Sequence, residues 1–320
     1  MKKIFTIFIL LFCVTMTFSQ QLQQISFRQY NLFINNPAIA GSTSSQEIKL
    51  LHREQWAGFE NAPTTSIISF HRELNTTNGI GGYLINDITN PSSRFTINAS
   101  YSYIIDMDDV FLSFGLSASV IQYRINSNDL TYRDINDPVM AFNTEKKWRP
   151  EANVGMLLFS KQFYFGFAIY QLLKSQFRPF STGDLGEIDM SRHLYIMGQY
   201  DIITQMHRIS PGIFIGYAKK SPINAELNVS YLYRNSVMAS FGCRLGDAFN
   251  MGIGYRFGRF TLAYNYDIVT SSLRNINSGS HEVMIGIDIS QQQTNVPMFS
   301  SGNSGTNNSS YSKQSKKRLF

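Results

Sequence analysis

The chain has 320 residues, with 28 Lys and Arg against 22 Asp and Glu, and aromatic side chains make up 14% of it against 16% charged. The formal charge of +6 resides at the ends: Lys2 and Lys3 open the chain, and Lys313, Lys316, Lys317 and Arg318 sit in a tail without acids. What remains is a balanced body, which excludes the basic footprint of a DNA- or RNA-binding protein.

Residues 1–19 read as a secretory signal peptide: Lys2-Lys3, an apolar run from Ile4 to Val14, and a small-x-small site at Thr17-Phe18-Ser19. That run is shorter than the ~20 apolar residues of a spanning helix. Cys13 follows Phe12 rather than the small residue a lipidation site wants, so cleavage near Ser19 without a lipid anchor is expected. Removal of Cys13 leaves Cys243 alone, which excludes an internal disulfide framework. Residues 20–45 are expected to form an N-terminal periplasmic or plug-like segment.

From residue 46 onward the patterning has the period of a strand. Val110, Leu112, Phe114, Leu116, Ala118 and Val120 alternate with Phe111, Ser113, Gly115, Ser117, Ser119 and Ile121. Leu227, Val229 and Tyr231 oppose Glu226, Asn228 and Ser230; Leu262, Tyr264 and Tyr266 oppose Thr261, Ala263, Asn265 and Asp267; Val283, Ile285 and Ile287 oppose Glu282, Gly286 and Asp288. Apolar residues on one face, with small, polar and charged ones on the other, describe a strand between lipid and a barrel interior.

Fourteen such segments are predicted: 46–54, 65–73, 79–87, 94–105, 110–124, 151–160, 163–171, 192–201, 206–217, 222–233, 236–246, 247–257, 259–268 and 282–290. The even-numbered connections are all short, while the four longest, 55–64, 125–150, 172–191 and 269–281, are all odd. Short periplasmic turns and long extracellular loops sort by parity in this way in an outer-membrane barrel, whereas a soluble sandwich has no reason to do so. The expected fold is therefore all-β: a transmembrane antiparallel barrel of about fourteen strands over 46–290, with both termini periplasmic. Residues 291–320, rich in Ser, Asn, Gln and Gly, are expected to be a disordered basic periplasmic tail.

Chemistry is sparse. The five histidines are scattered, with no metal-ligand spacing, and no G-x-S-x-G elbow is present. The glycines of "GIGGYL" (79–84) and "GIGYRFG" (252–258) fall inside strands with no helix behind them, so they point to close interior packing rather than a phosphate loop. His281-Glu282 opens the last strand, where hydrogen bonding at the rim is the favoured role. No catalytic residue, cofactor or metal site is expected. The first outward connection, "QWAGFENAP" from Gln55 to Pro63, carries two large aromatics where a plain turn would be polar.

These motifs resemble the PorP/SprF family of outer-membrane proteins of the Bacteroidetes type IX secretion and gliding machinery. "QYNLFINNPAIAG" (29–41) is similar to the family's Q-Y-x5-N-P-A-x-A-G run. Arg53, Gln55-Trp56, Gly58-Phe59, Ala62-Pro63, Thr65, Ser69 and His71 follow its R-x-Q-W-x-G-F-x-x-A-P-x-T pattern and the strand after it. "GIGGYLINDITNP", with Asn90 in place of the usual glycine, then "GIGYRF", "YNYD", "SSL" and "SHEVMIG" occur in the family's order, and the long tail departs from it. The resemblance implies a non-enzymatic role, either linked to periplasmic ring subunits or anchoring a large secreted adhesin by its C-terminal sorting domain. Outer-membrane lipid surrounds it and nucleic acid is not a partner. The rival reading is a channel for hydrophobic solutes, by analogy with fatty-acid transporters. Asn36 and Pro37 are expected to pack against Gln55, Trp56, Gly58, Phe59 and Pro63 as a fixed plug or partner-docking element.

Overall fold

The computed structural model describes residues 24–43, 46–126, 145–173, 176–177, 188–189, 191–219, 221–271 and 277–290. The expected signal peptide, the C-terminal tail and parts of the three longest loops lie outside them. Fourteen long strands form one sheet: β1 (Glu47–Glu54), β2 (Thr64–Glu73), β3 (Asn78–Thr89), β4 (Ser92–Met107), β5 (Val110–Ile125), β6 (Glu145–Phe159) and β7 (Phe163–Tyr170). They continue with β8 (His193–Tyr200), β9 (His207–Ala218), β10 (Asn224–Tyr233), β11 (Val237–Arg244), β12 (Ala248–Phe257), β13 (Phe260–Val269) and β14 (Ser280–Asp288).

Each strand is antiparallel to its neighbour, and the sheet closes because β1 also pairs with β14, from Glu47 opposite Asp288 to Glu54 opposite His281. Closure satisfies the backbone groups that an open edge would leave bare in hydrocarbon. The connections 74–77, 108–109, 160–162, 201–206, 234–236 and 258–259 are short and share one end of the barrel, called here the short-turn end. The connections 55–63, 126–144, 171–192 and 270–279 emerge at the opposite, loop end.

The alternation read from the sequence becomes the two faces of the wall. On β5, Phe114, Leu116 and Val120 are exposed while Phe111, Ser113, Ser117, Ser119 and Ile121 are buried. Elsewhere Ile97, Tyr101, Phe241, Met251 and Ile253 stand outward. An apolar band on this scale would drive a soluble protein to aggregate; in a bilayer it is the favoured surface. Tyr103, Tyr200, Tyr255, Phe257 and Phe260 extend it toward the short-turn end as the aromatic belt of a membrane interface.

The core is inside the barrel, and residues 24–43 help to make it. Three short 3-10 turns, Arg28–Tyr30, Leu32–Asn35 and Pro37–Ile39, carry Phe27, Phe33, Ile34, Ala38 and Ala40 into a cluster with Tyr83, Ile85, Leu157, Tyr170 and Tyr195 of the wall. The Asn36 carboxamide caps the third turn by accepting from Ala38 N at 2.9 Å, and Pro37 supplies a fixed φ at its first position.

Candidate functional site

The segment 24–43 is fastened at two levels. Toward the loop end, its backbone meets a carboxylate: Ser26 N and Phe27 N donate to Glu282 at 2.9 and 2.8 Å. Ser26 Oγ donates to Asp267 at 2.7 Å and accepts from Arg53 at 3.0 Å and Arg244 at 3.3 Å. Arg53 pairs with Asp267 at 2.7 Å and with Glu282 at 3.2 Å, and Arg244 lies 3.6 Å from both Asp267 and Glu226. Arg28 comes within 4.0 Å of Glu226 and lies over the Phe214 ring.

Three arginines and three carboxylates, from the segment and from β1, β10, β11, β13 and β14, are all buried. Burying so many charges is tolerable because they balance in sign, with Asp267 and Glu282 also hydrogen-bonded and Glu226 held by ion pairs alone. Burial lowers the proton affinity of the Arg28 guanidinium, with Glu226 opposing that effect, and pushes the Tyr30 hydroxyl up to about 12. Tyr30 thus stays a neutral hydrogen-bonding group.

Toward the short-turn end, the segment is held by shape. Gly115 of β5 faces the Pro37–Ala38 backbone and Gly155 of β6 faces the Asn36 carboxamide, each so closely that a Cβ would overlap it. Asn36 Nδ2 donates to Met156 O at 3.0 Å and Phe167 O at 3.4 Å, while Ser113 Oγ donates to Ala38 O at 2.7 Å and Ser102 Oγ to Ala40 O at 2.5 Å. Lys49 Nζ donates to Tyr30 O at 2.6 Å, and from the loop end of β7 Tyr170 Oη reaches Ile34 O at 3.0 Å. The segment therefore runs obliquely down the lumen, from the β11–β14 side near the loop end to the β3–β7 side near the short turns.

The second group of expected residues is elsewhere. Gln55, Trp56, Gly58, Phe59 and Pro63 form the β1–β2 connection at the loop-end rim, with Trp56 half-buried and Phe59 exposed. Backbone bonds hold this connection in a set shape: Gln55 N to Pro63 O at 2.8 Å, Phe59 N to Trp56 O at 3.1 Å, Ala57 N to Gly279 O at 2.7 Å, and Ser278 N to Ala57 O at 2.8 Å. Asn61 accepts from Asn90 of the next outward turn at 2.8 Å.

The expected packing of Asn36 and Pro37 against this connection is not found. Glycines in the short-turn halves of β5 and β6 offer Asn36-Pro37 a close backbone approach, while the β13–β14 connection offers 55–63 its hydrogen-bonding partners. His281 does bond at the wall's outer face, with Tyr264 Oη 2.7 Å from its Nδ1, as the sequence predicts. The adjacent Glu282, expected to bond at the rim, bonds instead inside the barrel, fully buried against Ser26, Phe27 and Arg53. Its signal was present: Arg53, Glu226, Asp267 and Glu282 all fall on inward positions of alternating strands.

Two recesses flank the segment. One, of about 150 Å³, opens below its first half at the short-turn end and is lined by residues that include Gln29, Asn31, Lys49, Arg256 and Met284. The other, of about 40 Å³, lies on the β3–β8 side among Ile34, Tyr83, Arg94, Glu151 and Tyr195. Among the described residues no group of three or more His, Cys, Asp or Glu side chains is arranged to hold a metal ion.

Among solved structures, the barrel is similar to the toluene transporter TbuX of Ralstonia pickettii, at 8% identity over 79% of this chain and 92% of that one, with a TM-score of 0.50. It is also similar to the CymD monoaromatic hydrocarbon channel, at 10% identity over 80% and 90% of the two chains with a TM-score of 0.44. At such identity the likeness to TbuX is one of fold, an outer-membrane barrel. A comparison with curated proteins finds no match. Residues 17–287 match the family described as type IX secretion system membrane protein PorP/SprF, and with that match over most of its length the chain belongs to the PorP/SprF family.

Proposed function

We propose that this protein is a non-enzymatic outer-membrane component of the type IX secretion and gliding machinery, working as a closed docking body rather than as a passage for solute. The observation that carries this reading is the double fastening of residues 24–43 across the lumen, by the Arg53–Asp267–Glu282 network at one level and the glycine-lined wall at the other. A plug meant to leave in each transport cycle would have to break the bonds of Ser26 and Phe27 to Glu282 and Asp267 and part Arg28 from Glu226, leaving buried carboxylates short of partners.

In this reading the short-turn end faces the periplasm, where β1 begins and β14 ends. The 291–320 tail then leaves on that side as a basic segment. Asn36 and Pro37 act as the plug's footing. Gln55, Trp56, Gly58, Phe59 and Pro63 form a shaped extracellular element in which the exposed Phe59 is available to a partner. The partners are periplasmic ring subunits or a large secreted adhesin retained through its C-terminal sorting domain.

The test is mass spectrometry of proteins recovered with the tagged barrel after mild crosslinking in intact cells. Ring subunits would identify a link to the core machine, and one dominant surface protein a dedicated anchor. Recovery of neither, together with a bound small apolar molecule, would favour the second reading, a hydrophobic-solute channel. The recesses on both sides of the segment are the feature that supports that alternative.

A further inference from the structure

The larger recess is built unlike a space that merely collects solvent. Its apolar wall includes Leu157, Leu232, Met238 and Met284 from strands β6, β10, β11 and β14. Its charged lining is Lys49, Arg208 and Arg256 against the single carboxylate Glu47. Glu47 lies 3.4 Å from both Lys49 and Arg256, while Arg208 pairs with Asp201 nearby. Within the lining itself, cations are in excess.

The roof carries a second, independent sign. Asn31 is 2% exposed, and its Nδ2 has no hydrogen-bond partner in the protein although its Oδ1 accepts from Ser69 at 3.0 Å. The Gln29 carboxamide is likewise shut away, with neither its nitrogen nor its oxygen bonded. Buried amides left unpaired are unfavourable, so a group that supplies carbonyl or carboxylate oxygens there gains both hydrogen bonds and relief of that penalty. A volume of about 150 Å³ matches one large side chain, close to the size of an engineered cavity that holds benzene.

We propose that this recess is a docking site for a peptide presented from the short-turn end that carries an aliphatic or aromatic side chain beside an acidic one. The apolar side chain enters between Leu232, Met238 and Met284, and the carboxylate lies toward Arg256 and Lys49. The amides of Gln29 and Asn31 donate to the peptide's carbonyl oxygens. The excess of cations disfavours the chain's own Lys313–Arg318 stretch as the occupant, and the occupant proposed is a segment of another protein. The inference rests on the proposed closed lumen with its short turns in the periplasm, because it needs the roof in place and the mouth facing a soluble partner.

The test uses the full chain in nanodiscs and three fluorescein-labelled tetrapeptides as probes, Asp-Leu-Glu-Phe, Asn-Leu-Gln-Phe and Lys-Leu-Lys-Phe, read by fluorescence anisotropy. The acidic probe is expected to bind at least tenfold more tightly than the basic one. Leu232→Trp, which fills the recess, is expected to weaken the acidic probe at least tenfold. Arg256→Gln is expected to weaken it several-fold while leaving the neutral probe unchanged. Heat-modified gel mobility checks that each variant is folded, and if Leu232→Trp is not, Arg256→Gln decides. Equal binding of acidic and basic probes, a Leu232→Trp affinity within twofold of the parent, or no saturable binding overturns the proposal. A barrel that passes no ions yet ignores the acidic probe refutes the recess alone, whereas one that conducts refutes the closed-lumen reading.

Discussion

Replacing Glu282 by Gln keeps the shape of the side chain and removes one charge from a buried set that is balanced at three and three. Glu282 accepts from Ser26 N, Phe27 N and Arg53. A carboxamide has one acceptor oxygen and turns an NH2 toward the other donors, so at least one charge-assisted bond is lost, at about 1.5–3 kcal/mol. Arg53 is left with Asp267 as its carboxylate partner beside the Ser26 hydroxyl, and the cluster carries an uncompensated positive charge. Breaking a buried pair in this way costs about 3–5 kcal/mol. The strand ladder of β14 is untouched, so the loss falls on the hold over residues 24–27.

At about 1.4 kcal/mol per tenfold, a 3 kcal/mol loss corresponds to roughly a hundredfold faster opening-limited hydrogen exchange at the Ser26 and Phe27 amides. Exchange of the mid-strand amides of β13 and β14 is expected to stay at its parent rate. The assay is exchange mass spectrometry of both proteins in the same detergent, with fragments covering 24–33. A change below threefold at Ser26 and Phe27 would mean the ion network does not hold the segment.

Other outcomes follow from the same geometry. Gly115→Val puts a branched side chain into the Pro37–Ala38 backbone and is expected to cost at least about 2 kcal/mol, seen as a lower midpoint in urea unfolding; a parent-like midpoint would show that the segment does not rest on β5. Asn36→Ala removes one accepted and two donated bonds and should cost about 1–3 kcal/mol in the same assay, with Gln restoring little because its longer side chain meets Gly155. Leu116→Arg on the outer face is expected to destabilise the barrel in liposomes by about 2–4 kcal/mol, and an unchanged stability would deny that this face meets lipid. Phe59→Ala should leave the unfolding midpoint within about 0.5 kcal/mol, as for an exposed side chain, while reducing partner recovery in the crosslinking experiment.

The strands were legible because each has one wet or packed face and one lipid face, so the period-2 signal is strong. Predicted and observed segments differ mostly by one to three residues, as at 110–124 against Val110–Ile125. The sixth strand is the exception: it begins at Glu145 rather than at 151, because charged Lys146, Lys147 and Arg149 hide its apolar alternation toward the loop end. Closure and the sorting of loops were legible from parity. The path of residues 24–43 was not, since three short 3-10 turns have no period to read and take their shape from the surrounding wall. For the same reason Asn36 and Pro37 were assigned the wrong neighbours. Their partners are glycines on β5 and β6, which announce a close approach without saying by what.

Single-channel recording of the purified full chain in planar bilayers tests the central claim most directly. A lumen closed by residues 24–43 predicts no steady porin-like conductance from the parent protein, with openings appearing in Glu282→Gln as its hold on the segment weakens. Stable ohmic steps from the parent protein would contradict the account and favour the reading as a hydrophobic-solute channel.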